Sequence, residues 1–143
     1  CELIADLIHV HPAIFKILIN VVHKDKMVLI TDSMRAGCMK NGNYDLGGQK
    51  VIVKDGAARL QDGTLAGSVL TLNKAVLNMM NNSNLEIYEV VAMATFNSAK
   101  VINMDNIKGS LEVGYDADIA IFNDDIDAFL TIVEGKIVYE AQE

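Results

Sequence analysis

The residues of this 143-residue chain whose types and spacing could do chemistry are His9-Val10-His11 and Asp32. Two histidines one residue apart on a strand point the same way, so both could face a metal ion. His11, however, precedes Pro12, where a strand gives way to a helix start, and the chain holds only three histidines. A catalytic zinc takes three protein ligands, so a complete metal site is not expected here. Asp32 follows the apolar run Met27 to Ile30. A carboxylate at a strand end can take a proton from a metal-bound water, or it can simply cap a turn. Leu65-Ala66-Gly67-Ser68 reads as a small-residue loop entering a helix, whose free N–H groups could meet a polar or anionic ligand. Its alternative is a tight turn with Ser68 as N-cap.

Other candidates carry less. His23 ends a helix in the run His23-Lys24-Asp25-Lys26, where a cation suits the macrodipole. Gly47-Gly48 and Gly67 belong to neither a dinucleotide fingerprint nor a phosphate loop. Ser33, Ser68 and Ser98 lack the surroundings of a hydrolase nucleophile elbow. The methionines, Met79-Met80 and Met93 among them, sit at core-like helical positions.

A strand end can only present a side chain if the strand is held, so the elements matter next. Glu2 to Val10 reads as a buried strand, and Pro12 is pre-set for a first helical turn. Ile14, Phe15, Leu18, Ile19 and Val22 then recur at helical spacing. Met27 to Ile30 is a second apolar strand, so a βαβ unit with parallel pairing is expected, with its site at the C-terminal strand ends. Residues 35 to 64 are glycine-rich, and Lys54-Asp55-Gly56 between Val51–Val53 and Ala57–Leu60 signals a hairpin in a small β meander. Ser68 to Asn81 is amphipathic, and Glu86 to Asn103 reads as a helix pair broken near Asn97. Asp118–Phe122, Phe129–Val133 and Lys136–Tyr139 read as strands, the last two a hairpin across Glu134-Gly135.

Twelve basic against nineteen acidic side chains leave a net charge of −7, with no basic stripe for a nucleic acid. A 51% apolar content with a single Pro suits one folded domain rather than a disordered chain. Two cysteines, Cys1 and Cys38, form no pairing framework, which points to the cytoplasm. Lys16 and Asn20 interrupt the longest apolar run, so no membrane span is expected. The chain opens at Cys1 within an apolar run, as a segment excised from something longer would.

Several blocks together resemble one family. Ala5-Asp6-Leu7-Ile8-His9-Val10, Leu29-Ile30-Thr31-Asp32-Ser33-Met34 with Gly37, Tyr44-Asp45-Leu46-Gly47-Gly48, and Asp62-Gly63-Thr64-Leu65-Ala66-Gly67-Ser68 are similar, in that order, to the N-acetylglucosamine-6-phosphate deacetylase family. Ala94-Thr95-Phe96-Asn97-Ser98-Ala99-Lys100 and the stretch from Lys108-Gly109-Ser110 to Asp116-Ala117-Asp118 resemble the C-terminal part of the wider amidohydrolase superfamily.

That resemblance implies an α/β fold: the C-terminal part of a metal-dependent-hydrolase TIM (β/α)8 barrel plus segments of a small β-sandwich domain. A whole barrel needs about 250 residues. The chain would then start near the seventh strand, ending at His9, and include the eighth, ending at Asp32. Residues 1–45 would be the last two barrel strands and a helix, 46–64 a β-hairpin insert near the active site, 65–106 C-terminal barrel helices, and 107–143 sandwich strands. The resemblance makes Asp32 the catalytic acid/base, His9 a substrate-orienting residue, and Leu65, Ala66 and Gly67 a substrate-contacting loop. It implies a divalent metal ion, zinc or similar, in the full-length enzyme, held by a glutamate and two histidines upstream, with no metal ligand in this chain. Leu7 departs from the family, which usually has Gly before Ile-His. The implied parent hydrolyses N-acetylglucosamine 6-phosphate to glucosamine 6-phosphate and acetate as a homo-oligomer, and the 143-residue chain alone would be inactive. Two alternatives stand beside it: another amidohydrolase, dihydroorotase-like or an amino-acid deacylase, and a non-catalytic truncated product that self-associates.

Overall fold

The computed structural model describes residues 1–142. The chain begins with β1 (Glu2–Ile4), α1 (Ala13–Val22) and β2 (Val28–Ile30). β1 and β2 pair in parallel, Glu2 opposite Val28 and Ile4 opposite Ile30, which is the expected βαβ unit. Pro12 stands at the N-cap position of α1 with φ −58°, and His11 Nδ1 accepts the Ala13 N–H at 3.2 Å. Phe15 is fully buried, while Leu18, Ile19 and Val22 pack on the same core.

β1 stops at Ile4 rather than running to Val10. The cause is local: Asp6 Oδ1 accepts the N–H groups of Ile8 and His9, both at 2.9 Å, and Leu7 lies at φ +67°. A side chain that takes two successive backbone donors replaces the ladder with a turn.

The glycine-rich stretch is a four-stranded antiparallel meander of β3 (Gly42–Leu46), β4 (Gln49–Lys54), β5 (Ala57–Leu60) and β6 (Leu65–Ser68). Two of its turns, Gly47-Gly48 and Asp55-Gly56, have positive φ at both central residues, the form that matches strand twist in a two-residue hairpin. Along β4, Val51 and Val53 are buried and Ile52 and Lys54 exposed, so one face covers a core with Met34, Ala36, Ala58 and Ala66. The meander is wider than the hairpin expected over 46–64. Leu65–Ser68 is its last strand, not a loop, and the helices begin at Leu72 rather than at 65.

α2 (Leu72–Asn82), α3 (Ile87–Ala94) and α4 (Phe96–Val101) follow. Thr71, not Ser68, is the N-cap of α2. α3 opens on a capping box in which the Glu89 carboxylate accepts the Glu86 N–H at 2.9 Å. The break between α3 and α4 falls at Thr95, with φ −126° and ψ −90°, and Asn97 lies inside α4. Asn97 cannot end the helix because its side chain works elsewhere: Nδ2 donates to the Lys24 and Met27 carbonyls at 2.9 and 2.8 Å, tying α4 to the chain entering β2. Ala75, Val76, Met79, Val90 and Met93 complete the core around Leu3, Phe15, Met27 and Leu29.

β7 (Ile119–Phe122), β8 (Ala128–Val133) and β9 (Lys136–Glu140) form an antiparallel sheet with the Glu134-Gly135 hairpin turn. Lys108 binds Asp116 and Asp118 at 2.7 and 2.5 Å, and Asp118 Oδ1 accepts the Glu134 N–H at 2.8 Å, holding the approach to this sheet against its hairpin. Among the described residues no helix is long and apolar enough to cross a membrane.

Candidate functional site

Because β1 and β2 run side by side in the same direction, the residues that follow them leave at the same edge. β1 leads to Asp6 and His9, and β2 to Thr31-Asp32-Ser33. Asn78 of α2 donates to the Ala5 carbonyl at 2.8 Å and steadies the first of these turns.

The Asp6 side chain is only 6% exposed, and its two oxygens divide the work. Oδ1 holds the Ile8 and His9 N–H groups, and Oδ2 lies 2.6 Å from His9 Nδ1. Burial opposes the carboxylate charge, but the hydrogen bonds from the His9 N–H, the Ile8 N–H and the His9 ring outweigh it and hold the Asp6 carboxyl below its ordinary range. The His9 ring is 20% exposed.

Asp32 stands at φ +46° with its side chain exposed. Its carboxylate accepts no hydrogen bond among the described residues, which is not how a turn-capping Asp behaves. The backbone around it is held from both sides by β6. The Asp32 carbonyl accepts the Ser68 N–H, and the Ser68 carbonyl accepts the Met34 N–H, both at 2.9 Å. The buried Ser68 hydroxyl donates to the Thr31 carbonyl and accepts the Leu70 N–H at 3.1 Å. Gly67, at φ +69°, lets this happen: a Cβ there would lie 3.2 Å from the Asp32 carbonyl oxygen.

Leu65, Ala66 and Gly67 therefore belong to a strand whose end is clasped to the Asp32 turn, with Leu65 opposite Arg59 and a register shift before Ser68 meets Ala57. The arrangement can present an exposed carboxylate and a fixed imidazole at one edge, beside a strand of small residues. Asp6 and the clasping role of Ser68 escaped the sequence reading. An Asp three residues before a His across a turn is the signal that could have found the first; pairing between residues 32 and 68 leaves no local trace.

Among the described residues no three His, Cys, Asp or Glu side chains gather as a metal-binding group. His9 Nδ1 faces Asp6, and His11 Nδ1 caps the start of α1 beyond the end of β1. The residues present do not fit a catalytic metal by themselves.

Comparison with known proteins adds context to this geometry. The amidohydrolase family model matches residues 1–138. The N-acetylglucosamine-6-phosphate deacetylase of Bacillus subtilis is 42% identical over 142 residues, covering 99% of this chain and 36% of that protein. The N-acetylgalactosamine-6-phosphate deacetylase of Escherichia coli O157:H7 is 35% identical over 136 residues, covering 95% of this chain and 36% of that protein. The crystal structure of the Thermotoga maritima N-acetylglucosamine-6-phosphate deacetylase superposes with a TM-score of 0.91 at 36% identity, covering 98% of this chain and 38% of that one. The chain thus spans about a third of the length of these relatives.

Proposed function

Because the chain belongs to the amidohydrolase family, we propose that the protein of which it forms part hydrolyses N-acetylglucosamine 6-phosphate to glucosamine 6-phosphate and acetate. β1, α1 and β2 supply the last two strands and a helix of a (β/α)8 barrel, α2 to α4 complete its C-terminal helices, and the β7–β9 sheet belongs to a small β-sandwich. The parallel register of β1 and β2 with a helix between them supports the barrel assignment.

Asp32 is the acid/base. It accepts a proton from the attacking water as oxygen bonds to the acetamide carbon, and returns a proton to the nitrogen as the C–N bond breaks, releasing acetate and the free amine. His9 contacts and orients the acetamide, and Leu65 to Gly67 line the substrate. The observation that carries this reading is the common edge at which a fixed His9 ring and an Asp32 carboxylate with no partner among the described residues emerge. The divalent ion that the family uses finds no fitting ligand set in these residues, so we assign its ligands to the rest of the parent protein, and the isolated chain is inactive. The exposed apolar side chains of α1, Ile17 and Val21, offer a face on which a homo-oligomer would pack.

The test is acetate release by the full-length protein. Asp32→Asn is expected to lower kcat by about 10²- to 10⁴-fold with little change in KM. Wild-type turnover in Asp32→Asn overturns the acid/base assignment. Faster hydrolysis of N-acetylgalactosamine 6-phosphate, dihydroorotate or an N-acyl amino acid overturns the substrate.

A further inference from the structure

We infer that Asp6 is the positioning residue of His9, holding the ring so that Nδ1 carries the proton toward Asp6 and Nε2 is the atom offered to substrate. The inference rests on the substrate-contacting role of His9 proposed above, and it concerns a residue to which that reading gives no part. Its footing is the division of the carboxylate between two tasks. Oδ1 alone shapes the loop, taking the Ile8 and His9 N–H groups at 2.9 Å each. A loop-forming Asp needs nothing more. Oδ2 is nonetheless aimed at the ring, 2.6 Å from Nδ1, within the short range of a charge-assisted bond.

The same contacts explain the orientation. The His9 backbone N–H and the His9 ring nitrogen both bind Asp6, so main chain and side chain of one residue are fixed by a single carboxylate that is itself 6% exposed. The ring cannot turn about its bonds without leaving Oδ2 unpartnered in a site that water barely reaches, which carries a desolvation penalty. Nε2 has no partner among the described residues, and no buried side-chain nitrogen or oxygen there lacks one, so Nε2 is the accessible end of the ring. An ionised carboxylate can only accept, so the proton between the pair belongs to Nδ1. A carboxylate that sets which imidazole nitrogen is protonated decides what the other nitrogen can do.

The experiment uses the full-length protein with its histidines labelled with nitrogen-15. In the wild type, the His9 imidazole nitrogen shifts are expected to report a protonated Nδ1. Asp6→Asn keeps an oxygen for the two loop N–H groups but puts an amide donor opposite Nδ1, so the neutral ring is expected to move its proton to Nε2. A wild-type His9 protonated on Nε2 alone overturns the inference, and this measurement needs no variant to fold. Kinetics supply the second arm. Asp6→Asn is expected to lower kcat/KM at least tenfold when His9 is present, and to have no further effect in a His9→Gln background. An equal loss in both backgrounds makes Asp6 merely structural and overturns the inference. If His9→Gln alone leaves kcat/KM unchanged, the substrate-contacting role of His9 falls, while the nitrogen shifts still decide whether Asp6 sets the proton.

Discussion

Ser68→Ala tests how firmly the Asp32 turn is held. Ser68 is 2% exposed, and its hydroxyl serves two backbone groups, the Thr31 carbonyl and the Leu70 N–H at 3.1 Å. Truncation leaves an acceptor and a donor without partners. A buried group stranded in this way costs about 1–3 kcal/mol. Thr31 and Leu70 are themselves only half-buried, so water recovers part of each loss. The expected destabilisation is about 2–3 kcal/mol in total. With a urea dependence of about 2 kcal/mol per molar, the unfolding midpoint falls by about 1 M. Thr64→Ala, at an exposed site in the same meander, is the control and is expected to stay within about 0.5 kcal/mol. Because Thr31 precedes Asp32, acetate release by the full-length protein should also slow, with kcat falling more than KM changes. A Ser68→Ala midpoint no lower than that of Thr64→Ala would refute the clasp as a source of order.

Asn97→Leu removes the donor shared by the Lys24 and Met27 carbonyls; Met27 is fully buried, so a loss of about 2–4 kcal/mol is expected in chemical unfolding, and a loss under about 1 kcal/mol would show that the tie is dispensable. Acid should weaken the fold through four carboxylates held below their ordinary range: Asp6, where burial is overcome by hydrogen bonds from His9 and Ile8; Asp62, which accepts the Thr64 N–H; Glu89, beside Lys24; and Asp118, beside Lys108. Since each folded value is depressed, their contribution is complete above the unfolded value of about 4 and is lost as pH falls through the folded values. Urea midpoints measured from pH 7 down to pH 3 should decline below about pH 4, less steeply in Asp6→Asn; identical slopes would remove Asp6 from the account.

The parts of the fold legible in the sequence are those fixed by neighbours along the chain. Phe15, Leu18 and Val22 at helical spacing mark α1, and Asp55-Gly56 and Glu134-Gly135 mark hairpin turns that both require positive φ. Gly47-Gly48 carries the same signal and turns β3 into β4. Local pattern misleads where a side chain or a distant partner overrides it. The apolar run to Val10 looks like strand, yet the Asp6 carboxylate takes the donors that a strand would need. Leu65–Ser68 looks like a loop of small residues, yet β5 and the Asp32 turn make it a strand. The sequence places the helix break at Asn97 and the structure at Thr95, because an Asn that serves two distant carbonyls is indistinguishable, in sequence, from one that stops a helix. Of the candidate site, the end of the apolar run marks Asp32 in the sequence, whereas its exposed carboxylate and pinned backbone show only in the fold.

The meander has two very different ends. Ser68 is sewn to the Asp32 turn, whereas at Gly47, Gly48 and Gly63, in the turns at the opposite end, an added Cβ would meet nothing within 4 Å. Insertions and grafted segments are best borne at such open loop tips. The far hairpins are therefore a natural attachment point for a fluorophore or a fused domain, and a place where lineages can diversify by gaining or losing residues. The anchored strand meanwhile insulates the Asp32 turn from that drift.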